Sequence, residues 1–178
     1  GISFNGSVSS GSFTIGISNG NWNSYTGTLS ANFSANTYTV VFNGNGSTSG
    51  SMSNQTFTYD QSKSLSSNRF EKKGYTFAGW ATSSSGSVVY SNNQSVKNLT
   101  STNNGRVYLY AKWTANSYTL TANANGGSIS STSGWSGTGT TSTKSVKYDS
   151  TYGTLPTPTR TGYTFDGWYD ASSGGNKV

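Results

Sequence analysis

The run Gly74-Tyr75-Thr76-Phe77-Ala78-Gly79-Trp80 returns as Gly162-Tyr163-Thr164-Phe165-Asp166-Gly167-Trp168, one substitution apart and at a spacing of 88 (162 less 74). Upstream, Ala35-Asn36-Thr37-Tyr38-Thr39-Val40 returns as Ala115-Asn116-Ser117-Tyr118-Thr119-Leu120, at a spacing of 80 (115 less 35). Phe57-Thr58-Tyr59-Asp60 corresponds to Val146-Lys147-Tyr148-Asp149 between these landmarks. Self-similarity at such a period marks a chain built from repeated structural units. The difference between the two spacings falls in the Ser/Thr/Gly stretch 127–145, which reads as a longer surface loop, where insertions are tolerated.

A third, partial match sets the boundaries. Leu29-Ser30-Ala31-Asn32-Phe33 stands before Ala35-Asn36 as Leu109-Tyr110-Ala111-Lys112-Trp113 stands before Ala115-Asn116. The expected organisation is therefore the end of a preceding β module (1–34), a complete repeat (35–114) and a second repeat without a counterpart of Val107–Trp113 (115–178). Residues 1–28 match the repeat poorly, apart from a strand-like run at Phe13–Ile17.

The pattern inside a repeat has period two. Tyr38, Val40 and Phe42 alternate with more polar neighbours, as do Val107, Leu109, Ala111 and Trp113, and Tyr75 and Phe77 share one face. Such alternation predicts strands with one buried face. Asn43-Gly44-Asn45-Gly46 and Asn125-Gly126-Gly127 are turn chemistry, and the glycines bracketing the Tyr-Thr-Phe run predict a bulge or a close backbone approach at Gly79 and Gly167. The fold class expected is mainly β (α+β at most), with little helix: at the most a helical turn within 61–70 and another within 92–99.

A unit of about 80 residues has little core volume, so its packing must come from large side chains. The chain supplies 12 Tyr, 8 Phe and 5 Trp, while only 9% of its residues are charged, against about 25% in an average domain. Each aromatic can bury roughly 150–250 Å². Core packing is the expectation for the aromatics Tyr75, Phe77, Trp80, Trp113, Tyr163, Phe165 and Trp168, which with Gly74, Gly79, Gly162 and Gly167 make up the structural signature.

The chemistry of catalysis is missing. There is no His and no Cys, and the five acids Asp60, Glu71, Asp149, Asp166 and Asp170 are spread along the chain. General acid–base work calls for a group that trades protons near neutral pH, and an activated serine requires a base beside it. The expectation is a protein that is not an enzyme and uses no cofactor or metal. The net charge of +6 comes from few acids and scattered bases, which argues against a nucleic-acid partner. No stretch approaches the ~20 apolar residues of a membrane span. A ligand surface, if the chain carries one, would use the cluster Arg69, Lys72 and Lys73, or Trp22 and Trp135, each alone in a polar stretch.

Tyr38–Asn43, Phe57–Tyr59, Leu65, Lys72–Trp80, Tyr90, Val96, Leu99 and Val107–Trp113 together resemble the Listeria–Bacteroides repeat, also called the internalin B-repeat. The Gly-Tyr-Thr-Phe-x-Gly-Trp signature carries the resemblance, with the basic residue two places before its Gly at Lys72 and Arg160. The resemblance covers 36–113 fully and 116–178 in part. It implies tandem small β-grasp-like (ubiquitin-like) modules of mixed sheet, in secreted or wall-attached bacterial proteins. Spacer, stalk or adhesion roles follow, with neighbouring modules as the first partners and a host surface glycan or protein as a further one. Two alternatives accompany that reading: a glycan- or host-polymer-binding module, and a filament subunit joined by strand complementation.

Overall fold

The computed structural model describes residues 32–178, so Trp22, the Phe13–Ile17 run and nearly all of the expected preceding module lie outside the described residues. The strands are β1 (Thr37–Asn43), β2 (Gln55–Thr58), β3 (Lys63–Ser64), β4 (Tyr75–Ala81) and β5 (Ser95–Val96), then β6 (Gly105–Ala115), β7 (Ser117–Asn123), β8 (Ser128–Ile129), β9 (Thr141–Lys147) and β10 (Pro158–Thr159). The chain is mainly β, and no helix occurs among the described residues.

The first repeat is a mixed four-stranded sheet in the order β2-β1-β6-β4. Its centre is the parallel pair β1–β6, in register from Tyr38↔Gly105 to Asn43↔Tyr110. β2 and β4 add antiparallel at either side. The inward faces follow the alternation: Tyr38, Val40 and Phe42 of β1 and Leu109 and Ala111 of β6 are buried. Phe57, Leu65, Trp80 and Val96 complete this core. Directly opposed across β1 and β2, Tyr38 and Phe57 stack with centroids 5.4 Å apart, the cross-strand pairing that stabilises a sheet face.

The bulge expected at Gly79 explains the signature's spacing. Phe77 and Trp80 are three apart and would face opposite sides of a regular strand. Between Phe77 and Gly79 the register against β6 slips, Phe77 opposing Trp113 and Gly79 opposing Lys112. The extra residue turns both rings inward, where they meet edge to face at 4.9 Å. Gly79 has φ 141°, and a β-carbon there would lie 2.6 Å from Val88 Cγ1 and 2.8 Å from the Tyr90 carbonyl oxygen. Only glycine fits. Gly167 takes the same backbone form, φ 153°, and Phe165 meets Trp168 edge to face at 5.6 Å.

Two expectations need correction. Stretches 61–70 and 92–99 hold no helical turn; instead β3 and β5 pair antiparallel, Lys63 opposite Val96. Stretch 127–145 is more than a surface loop. It contains β8 and most of β9, and contributes Ile129 and Trp135 to a second core with Ala122, against which Leu120, Ala124, Leu155 and Trp168 pack. Glycines at 134, 137 and 139, all with positive φ, let this segment turn back on itself. The Trp135 ring is thereby buried, its Nε1–H donating to the Thr154 carbonyl at 2.9 Å.

Candidate inter-repeat interface

β6 passes into β7 through Asn116 alone. Around that residue the structure assembles a joint. The Asn116 N–H donates to the Gly74 carbonyl (2.9 Å), and the Asn116 carbonyl accepts from the Tyr148 N–H (2.8 Å). Thr76 Oγ1 lies 2.6 Å from Asn116 Oδ1. One residue thus ties β4 of the first repeat to the turn after β9 of the second.

The aromatic part of the joint rests on the signature glycine. Gly74 has φ 77°, a left-handed conformation costly for other residues, and the Tyr148 ring lies where its β-carbon would be. Tyr148 meets Tyr75 edge to face at 5.7 Å. The Tyr75 hydroxyl donates to Asp149 Oδ2 at 3.1 Å, a bond that holds the phenol above the usual tyrosine range. Lys72 Nζ stands 4.4 Å from the centroid of the Tyr75 ring, in cation–π geometry. The sequence marked Gly74 and Tyr75 but not Asn116, Tyr148 and Asp149. A signal was present, since these three recur as Asn36, Tyr59 and Asp60.

The other singled-out residues separate clearly. Trp80 is fully buried, its Nε1–H without a partner among the described residues, while Trp113 is half-buried and donates from Nε1 to the Gly44 carbonyl at 3.0 Å. In the second repeat, Trp168 is half-buried and donates to the Pro156 carbonyl at 2.9 Å, but Tyr163 and Phe165 are exposed. Residues 163–168 form no strand although they copy β4 in sequence. Trp135 is not an exposed platform: its ring belongs to the second core, which corrects its place in a ligand surface. Arg69 and Lys73 are exposed, Lys72 is engaged on Tyr75, and Glu71 sits among them, so the basic cluster is interrupted by an acid. Among the described residues no group of three or more His, Cys, Asp or Glu could hold a metal ion.

The exposed carboxylates have local partners. Asp60 accepts from Asn98 (2.9 Å) and pairs with Lys97 (3.4 Å), which lowers its pKa. The Tyr169 hydroxyl lowers that of Asp166, with Lys177 adding to the effect, and Asn176 lowers that of Asp170.

Internalin H of Listeria monocytogenes is 34% identical to this chain over 109 residues, 60% of the chain and 16% of that protein. A protein of Evansella cellulosilytica carrying the name Gly-rich membrane protein is 34% identical over 149 residues, 80% of the chain and 15% of that protein. The chain therefore spans about a sixth of the length of either relative. No solved structure matches it. The family model for the Listeria-Bacteroides repeat domain matches twice, over residues 38–112 and 118–178. The two matches cover both sides of the joint at Asn116, and the chain belongs to the Listeria-Bacteroides repeat domain family.

Proposed function

We propose that this chain is a non-catalytic spacer: part of the stalk of a bacterial surface protein, working outside the cell as tandem repeats that carry another domain away from the surface. The observation that carries the reading is the joint. Two repeats follow one another with one residue between their strands, and Asn116, Tyr148 and Gly74 fix one to the other. Flexible linkers leave the distance between their ends broadly distributed, whereas stacked repeats convert added sequence into length. Membership of a repeat family that occurs in internalin-like surface proteins supports the same reading.

Small-angle scattering on this chain and on versions lengthened by whole repeats tests it. The expected result is a maximum dimension that grows by a constant step with each added repeat. Growth in all directions, as for a globule, would refute the spacer role.

A further inference from the structure

A strand shows two faces, and the core of the first repeat takes only one face of β6. Leu109 and Ala111 are buried in that core. By the same alternation Arg106, Tyr108, Tyr110 and Lys112 stand on the opposite face. β1 runs alongside in parallel register, which sets Thr39 beside Arg106 and Val41 beside Tyr108. None of the residues that the sequence suggested for a ligand surface belongs to this group.

Tyr108 is 46% exposed, Arg106 is exposed, and Thr39, Val41, Tyr110 and Lys112 are half-buried. The protein gives the two cations little to hold. The Lys112 ammonium reaches the Ser84 carbonyl at 3.4 Å, and the ion pairs among the described residues, Lys97–Asp60 and Lys177–Asp166, involve neither cation. Charge on the sheet has one sign: β1, β2, β4 and β6 carry Arg106 and Lys112 and no Asp or Glu. Asp60, which follows β2, is already engaged by Lys97 and Asn98.

Alternate positions on a strand are about 7 Å apart, so the row from Arg106 to Lys112 extends over about 20 Å. It has a cation at each end and two phenol rings between. That is a track and not a pocket. It suits a partner that is extended, that repeats negative charge along its length, and that has faces able to lie on an aromatic ring. Sugar rings have such faces, and the tyrosine and Thr39 hydroxyls can exchange hydrogen bonds with sugar hydroxyls. The guanidinium fork matches a planar carboxylate through two charge-assisted hydrogen bonds. A membrane surface fits worse, because segments that lie in one insert Trp, Phe or Leu, and this row has none.

We propose that this face binds a linear polysaccharide bearing uronic-acid carboxylates. The chain lies along β6, its sugar rings over Tyr108 and Tyr110 and its carboxylates on Arg106 and Lys112. The site lies within one repeat, so the proposal goes beyond the spacer reading and does not depend on it.

Amide NMR of the whole chain, titrated with a hyaluronan hexasaccharide (alternating glucuronate and N-acetylglucosamine), tests the proposal. A neutral hexasaccharide of N-acetylglucosamine and vesicles of phosphatidylglycerol serve as comparisons. The expected result is saturable shifts at Thr39, Val41 and 106–112 with the uronate chain, absent with the neutral one and weakening as salt rises. Arg106→Gln lowers the affinity about tenfold, the loss of one charged hydrogen bond. Tyr108→Ala costs a similar factor, whereas Tyr108→Phe keeps the ring and most of the affinity. Lys73→Gln removes the same charge from an exposed position outside the sheet and leaves the affinity unchanged. Arg106 and Tyr108 are exposed, so these variants keep the fold, which the same spectra verify. No binding, equal binding of the neutral chain, shifts spread over the whole surface, an equal loss from Lys73→Gln, or vesicle binding through the same residues overturns the proposal. A scattering result against the spacer would leave this outcome untouched.

Discussion

Alanine at Gly74 and alanine at Gly162 make a matched pair, because the two glycines share a backbone conformation and differ in what stands beside them. At both, a left-handed φ costs a non-glycine residue about 1–2 kcal/mol. At Gly162 that is the whole expectation, since the β-carbon enters open space. At Gly74 the β-carbon lands within the Tyr148 ring. Forcing a methyl into occupied space adds about 1–3 kcal/mol, unless the ring swings away and the joint is lost instead. Gly74→Ala should therefore cost roughly 1–3 kcal/mol more than Gly162→Ala in urea unfolding followed by amide NMR of each repeat. The same substitution should change the joint's mechanics. Residual dipolar couplings fitted by one alignment tensor across 34–178 in the parent should need two in Gly74→Ala and still one in Gly162→Ala. Equal losses at the two sites, or a single tensor in Gly74→Ala, would show that Tyr148 does not hold the repeats together.

The bulge glycines give a second contrast. Gly79→Ala collides with the Tyr90 carbonyl, which cannot move cheaply, whereas Gly167→Ala meets only the end of the Lys177 side chain. Thermal denaturation should show the larger loss at Gly79, and comparable losses would contradict the account of the bulge. Trp135→Ala removes the largest ring of a core with three buried hydrophobics, at about 3–5 kcal/mol. It should unfold 115–178 while leaving Trp80 emission unchanged; retained amide dispersion in the second repeat would refute that. The Tyr75 phenol, raised by its bond to Asp149, contributes stability that is complete below the usual tyrosine range and is lost as pH rises through the raised value. Alkaline titration should therefore loosen the joint, and Tyr75→Phe should abolish that step. Asp60 and Asp170, lowered chiefly by their asparagine partners, act in the other direction: their contribution is present above the usual carboxylate range and fades as pH falls through the lowered values. Removing it with Asn at Asp170 should flatten the acid limb of a pH–stability curve, and an unchanged limb would contradict the assignment.

Much of the first repeat was legible in its sequence because the relevant signals are local. Alternation identified the inward faces of β1 and β6, and the glycines bracketing the Tyr-Thr-Phe run pointed to the bulge at Gly79. Asn43 to Gly46 formed the expected turn, with Asn45 N–H on Asn43 Oδ1 at 2.8 Å and the same arrangement at Asn125 and Asn123. What escaped was set by partners distant in sequence. Residues 75–80 and 163–168 are nearly the same string, yet one is a strand against β6 and the other is not, because a strand is made by its neighbour as much as by its residues. The 127–145 stretch reads as a loop from its Ser, Thr and Gly content, and only the long-range burial of Ile129 and Trp135 shows that it carries a core. The joint was missed for a related reason. Tyr148 and Asp149 were visible as repeated letters, but not as the ring and carboxylate that meet Gly74 and Tyr75 of the preceding repeat.

The central pair β1–β6 bears on what happens when such a chain is pulled. Tension enters the first repeat at Thr37 and leaves at Ala115, and these are the outer ends of two strands that lie side by side and run the same way. Force along that line slides β6 past β1, so the bonds of the register from Tyr38 to Asn43 are strained together. A hairpin pulled from its open end parts one bond at a time. A repeat loaded in shear resists until the whole row fails, and the direction of resistance is already written in which two strands stand next to each other.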